Sequence, residues 1–225
     1  MFLRARERRK IVPPASIPSH ITKCRQKTFN RIETTSMTGI ILSGGKNIRM
    51  GTNKAFLKVG GERLIDRTSR IFKELFDEVM LVTNSPLDYI DHNCVIATDI
   101  IKDKGAMGGL YTGLFFTSGE HAFISACDMP FLNKAFIMHM MECVHGYDIV
   151  VPRSADGLQP LHAIYSKRCI PSIKKVIAAD NLKITSFYRG LKILEITEDI
   201  IKSFDPEAKM FINVNTRSDL EHISS

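Results

Sequence analysis

Three short segments carry residue types that chemistry could use. The first is Leu42-Ser43-Gly44-Gly45-Lys46-Asn47-Ile48-Arg49-Met50-Gly51, with Lys54 just beyond it. It follows an apolar run, and open α/β sheets bind ligands beyond the carboxyl ends of their strands. Glycines there let the backbone approach phosphate oxygens, with N–H groups as donors. Arg49 and Lys54 add two positive charges, the pattern a triphosphate requires. No Gly-Lys-Ser/Thr closes the loop and Gly-x-Gly-x-x-Gly is absent, which excludes the P-loop and the dinucleotide fingerprint. Taken alone, such a loop is more simply a glycine-rich turn with two surface cations.

The second segment is Ile124-Ser125-Ala126-Cys127-Asp128-Met129-Pro130. Asp128 ends a buried apolar run, and a carboxylate there can hold Mg²⁺, which takes oxygen ligands and bridges phosphates. Asp99 ends the run Cys94–Thr98 in the same way. Either aspartate could equally be a helix cap or a turn former. The third segment is Phe211-Ile212-Asn213-Val214-Asn215-Thr216. Read as a strand, it points Asn213 and Asn215 to one face. Two amides there can hold a ligand, and Asn215 or Thr216 can also cap a last helix.

The elements that must position these residues alternate along the chain. Short apolar runs at 38–43, 79–82, 94–98, 122–127, 149–152, 161–165, 193–196 and 211–214 read as strands. Helical spacing joins Leu64, Ile65, Thr68, Ile71, Phe72, Leu75 and Phe76, and recurs at 107–116, 136–144, 170–177 and 216–223. That alternation predicts an α/β sandwich around a mainly parallel sheet.

Composition bounds the remainder. The net charge of +7 resides in residues 1–36, which hold nine of the 31 Lys/Arg and two of the 24 Asp/Glu, leaving 22 of each sign for the rest. The folded part is therefore not basic, and neither nucleic acid nor membrane is an expected partner. Residues 1–36 read as a disordered, proline-bearing basic extension, with a transit peptide or a true start at Met37 as the other readings. Residues 37–225 read as one domain. The five scattered cysteines form no CxxC pair, which predicts a reducing, cytoplasmic location without a disulfide framework.

Together the motifs resemble the molybdenum cofactor guanylyltransferases, the MobA-like branch of the nucleotidyltransferase superfamily. Leu42 to Lys54 is similar to that family's L-x-G-G-x-x-x-R-M-G-x-x-K, Cys127–Pro130 to its C-D-x-P, and Phe211–Thr216 to its F-x-N-V-N-T. Gly105-Ala106-Met107-Gly108-Gly109 departs from its G-P-L-A-G by lacking the proline. The resemblance implies a Rossmann-like, three-layer fold with a mostly parallel sheet. It implies GTP as substrate, Mg²⁺ as cofactor and molybdopterin as acceptor, with other cofactor-synthesis proteins or acceptor molybdoenzymes as further partners. It assigns Leu42, Ser43, Gly44, Gly45, Lys54, Asp99 and either Thr83 or Asn84 to the nucleotide. Asn213 and Asn215 also line the site, and Asp128 holds the metal. Arg49, Lys54 and Asp128 would carry the catalysis. A molybdopterin cytidylyltransferase, or a sugar-phosphate or isoprenoid nucleotidyltransferase, would use the same motifs with another NTP or acceptor.

Overall fold

A computed structural model describes residues 37–44 and 53–214. The basic extension 1–36, the loop residues Gly45 and Arg49, the residue Asn215 and the helix expected at 216–223 lie outside the described residues.

The first strand, β1 (Thr38–Leu42), is buried along its whole length. It pairs in parallel with β4 (Glu78–Val82) on one side and β6 (His121–Ala126) on the other. Around this centre lie β5 (Val95–Ala97), β7 (Ile149–Ser154), β9 (His162–Ser166) and β10 (Ile193–Ile196). The order across the sheet is β10-β7-β9-β6-β1-β4-β5, and the short β8 (Gly157–Leu158) pairs with β7. Every pair along this path is parallel except those of β9, which runs antiparallel to both β6 and β7. The expected strands therefore form the expected sheet, with one reversed member that the sequence pattern does not distinguish.

Alternation along the strands builds two cores. Ile41, Leu81 and Phe123 face α1 (Leu64–Leu75), α3 (Lys134–Glu142) and α5 (Glu198–Phe204). Ile40, Met80 and Ile124 face α2 (Gly105–Phe116) and α4 (Ile170–Ala178). Helices on both faces of one sheet make the three-layer sandwich. The first core is set by aromatic rings: Phe72, Phe76 and Phe123 lie with centroids 5.2–5.7 Å apart. Gly39 makes their approach to β1 feasible, because a Cβ there would lie 2.4 Å from the Phe76 ring. A hairpin of β2 (Lys58–Val59) and β3 (Glu62–Arg63) leads into α1. That hairpin, β8 and α5 have no counterpart in the expected list.

One expected strand is absent. Lys209–Phe211 is a short helical turn, and Ile212–Val214 follow as irregular chain. Two anchors override the strand pattern there. The Phe211 ring packs edge-on to the His162 ring at 5.2 Å, and the Val214 N–H donates to the Asp128 carbonyl at 2.8 Å. The segment docks by one backbone bond, one ring and the buried Val214 side chain instead of a ladder, so strand periodicity does not aim Asn213. Asn213 is exposed.

His162 sits at the heart of this packing, fully buried among Phe123, Phe136 and Phe211. Among the described residues neither ring nitrogen has a hydrogen-bond partner, and burial pushes its pKa down from 6.5 to about 3. Between those values the unfolded chain takes up a proton that the folded one refuses. Stability is therefore full above pH 6.5 and falls as the pH drops toward 3. The loss is limited to about 1.4 kcal/mol per pH unit for one proton. Urea unfolding at neutral pH and near pH 5 should show His162→Leu losing less stability on acidification than the native chain. Equal losses would mean that the ring is hydrated or paired in solution.

Candidate functional site

The register of β1 decides where the site lies. Leu42 stands level with Val82 on one side and Ala126 on the other. The chain leaves all three strands at the same edge, so Ser43–Gly44, Thr83–Asn84 and Cys127–Asp128 come together there. Backbone bonds continue the sheet one residue past its end. The Ser43 N–H donates to Val82 O at 2.9 Å, Thr83 to Ala97 O at 2.9 Å, and Cys127 to Leu42 O at 3.0 Å. The loops are thereby fixed at their roots, and Ser43 and Thr83 are buried while Gly44 and Asn84 face solvent.

Asp99 joins from β5. Asn84 Nδ2 donates to its Oδ2 at 2.7 Å, and the Asp99 N–H donates to Asn84 Oδ1 at 3.3 Å. This reciprocal pairing fixes both side chains at the sheet edge. Burial pushes the Asp99 pKa up, partly opposed by the Asn84 bond. Asn84, not Thr83, therefore meets Asp99 at the opening. The Thr83 hydroxyl instead accepts from the Ser85 N–H at 3.2 Å. The missing proline of the glycine segment costs no helix: α2 starts at Gly105, and Met107 is fully buried. Gly108 lets the first turn approach the loop, since a Cβ there would lie 2.9 Å from the Ile101 carbonyl.

Asp128 follows β6, half-buried. Burial raises its pKa above 3.8, against the pull of a backbone bond and of the Lys54 charge. Its Oδ1 is buried and has no hydrogen-bond partner among the described residues. An orphaned carboxylate oxygen beside a lysine suits a hard cation that takes oxygen ligands. The described residues contain no group of three or more His, Cys, Asp or Glu around a common point. A cation there would draw its other ligands from water and substrate phosphate, as Mg²⁺ commonly does.

Of the expected site residues, the structure brings Leu42, Ser43, Gly44, Thr83, Asn84, Asp99 and Asp128 to one sheet edge, and the Lys54 charge acts on Asp128. Asn213 lies one residue before Val214, whose N–H meets the Asp128 carbonyl, so its segment borders the site without a strand to aim it. Sequence reading misses Tyr89 and Asn53. Tyr89 is fully buried, and its hydroxyl lies 2.6 Å from Ser43 Oγ and 2.9 Å from Asn53 Nδ2. No motif marks either residue, and the one cue is a tyrosine in the polar stretch after β4.

Comparison with known proteins agrees with this architecture. The family model described as a MobA-like NTP transferase domain matches residues 39–194. A molybdenum cofactor guanylyltransferase of Desulfosudis oleivorans is 39% identical over 188 residues, 83% of this chain and 93% of that protein. One of Syntrophotalea carbinolica is 32% identical over 186 residues, 82% and 89% respectively. A crystal structure of molybdopterin-guanine dinucleotide biosynthesis protein A from Archaeoglobus fulgidus superposes with a TM-score of 0.73 at 23% identity. It covers 83% of this chain and 96% of that one, a likeness of fold.

The raised pKa of Asp128 yields a stability test. The folded chain favours the protonated acid, so the ionised carboxylate costs stability at every pH above 3.8. Asp128→Asn should melt above the native chain at neutral pH in chelator-treated buffer, by roughly 2–4 °C for each kcal/mol relieved. The difference should shrink as the pH approaches 3.8. A lower melting temperature for the variant would make Asp128 a structural anchor.

Proposed function

The chain belongs to the MobA-like NTP transferase family, and on that premise we propose that it transfers GMP from GTP to the phosphate of molybdopterin. The products are the guanine dinucleotide form of the cofactor and pyrophosphate. The observation that carries the reading is the half-buried Asp128 carboxylate, one oxygen of which is buried with no hydrogen-bond partner among the described residues, at an edge shared with Ser43, Asn84 and Asp99.

The nucleophile is the acceptor's own phosphate, which is mostly ionised at neutral pH because a phosphate monoester's second pKa is about 6. No side chain need remove a proton. The barrier is repulsion between two anions and charge growing on the leaving pyrophosphate. Bound Mg²⁺ supplies Lewis-acid charge at the phosphates. Asp128 would hold that ion, and its unpaired oxygen supports this role. Lys54, and Arg49 from the signature loop, would offset phosphate charge by fixed electrostatics that need no rearrangement during the reaction. The Leu42–Gly44 and Gly45 backbone would follow the triphosphate. Asn84 and Asp99, already locked to each other, present hydrogen-bonding groups for the nucleoside. Asn213 and Asn215 would line the other side of the Asp128 loop.

A site that hydrogen-bonds its substrate rejects analogues that leave its groups unpaired. GTP, CTP and UTP, each incubated with Mg²⁺ and molybdopterin, should give a dinucleotide product by mass with GTP above all. Preference for CTP would move the chain to the cytidylyl branch. No product with any NTP would overturn the reading. The variant Asp128→Asn should lose about 100-fold or more in kcat. Near-native turnover at saturating Mg²⁺ would remove Asp128 from the chemistry.

A further inference from the structure

The signature loop leaves β1 at Ser43 and returns at Asn53, and both ends are tied to one atom. Tyr89 OH lies 2.6 Å from Ser43 Oγ and 2.9 Å from Asn53 Nδ2. The tyrosine comes from a third element, the short turn Pro86–Tyr89 after β4. The Asn53 Oδ1 accepts the Ala55 N–H at 3.1 Å, so its amide nitrogen is turned to Tyr89. An amide nitrogen only donates. The phenol oxygen therefore accepts from Asn53, and it shares a second hydrogen bond with the Ser43 hydroxyl. The Ser43 hydroxyl also acts on the buried Cys127 thiol, next to Asp128, and opposes the rise that burial gives its pKa. Asn53, Tyr89 and Ser43 form one relay of hydrogen bonds across three segments, each strengthening the next. Phe56 stacks on the Tyr89 ring at 5.2 Å and holds it in place. Burial raises the phenol pKa, which keeps the proton on the oxygen.

We propose that Tyr89 is a positioning residue for the nucleotide: its hydroxyl ties Ser43, just before Gly44 at the end of β1, to Asn53, just before Lys54, and so fixes these two segments relative to each other. Ser43 is held in turn beside the Asp128 segment, because the Cys127 N–H donates to Leu42 O at 3.0 Å. Nothing in this role requires Tyr89 to touch substrate. The inference rests on the nucleotidyltransferase reading for its substrate, but its direct readout is nucleotide binding.

Tyr89→Phe removes the hydroxyl and keeps the ring against Phe56. Asn53→Asp keeps the oxygen that caps Ala55 and replaces the donor to Tyr89 with an acceptor. Each variant is compared with the native chain by thermal melt, by calorimetric binding of Mg²⁺-GTP and Mg²⁺-CTP, and by turnover with molybdopterin. Both should weaken binding of the preferred nucleotide and raise its KM about tenfold, the scale expected when a binding group is slightly misplaced. The KM for molybdopterin should stay within about twofold, and the double variant should lose no more than the worse single one, since all break the same relay. Native binding by Tyr89→Phe, or equal losses for nucleotide and acceptor in step with a lost folded fraction, overturns the proposal. A native chain that binds a nucleotide but makes no molybdopterin product overturns the transferase reading alone, and the binding comparison still decides the role of Tyr89.

Discussion

Strand β1 has no surface of its own. Its five residues are buried, its two edges are occupied by β4 and β6, and its two faces pack on opposite helix layers. Parallel pairing on both sides makes Leu42, Val82 and Ala126 end level, so three loops must start from one line. Everything the site uses follows from that alignment. Had β4 or β6 paired one residue out of register, every side chain on that strand would change faces. The rings of Phe72, Phe76 and Phe123 oppose such a slip, because Gly39 gives them room only where it stands.

A site rooted this rigidly can tolerate groups that would otherwise be a cost. Asp99 and Asp128 are both held where burial disfavours their charge. Asp99 has a partner in Asn84, whereas one oxygen of Asp128 has none among the described residues. The two carboxylates differ accordingly: one is fixed in orientation, and the other keeps an oxygen with bonding capacity to spare. His162 is a different case, a buried ring that serves packing and weakens the fold in acid. Its neighbour Phe211 connects it to the segment that borders Asp128, so packing and site share a wall.

Much of this was legible in the sequence for physical reasons. Strands buried on both faces read as short, nearly continuous apolar runs, and helices α1 and α4 show a single apolar stripe. The positions of Ser43, Gly44, Asp99 and Asp128 were legible because polar residues directly after apolar runs stand at strand ends. The direction of β9 was not, because a buried antiparallel strand has the same apolar content as a parallel one. The Phe211–Val214 segment misled because its alternation matches a strand while its contacts are a ring and one backbone bond.

The sequence by itself determined the sandwich, the family motifs and the placing of the net charge in residues 1–36, since each is written in local spacing or in counts. Tertiary structure alone decided which groups are paired. Asn84 is bonded to Asp99 across 15 residues and Tyr89 to Ser43 across 46. Spacing along a chain carries no information about such distances. A hydroxyl or carboxylate becomes orphaned, locked or raised in pKa only when the fold has chosen its neighbours and excluded water from the remainder.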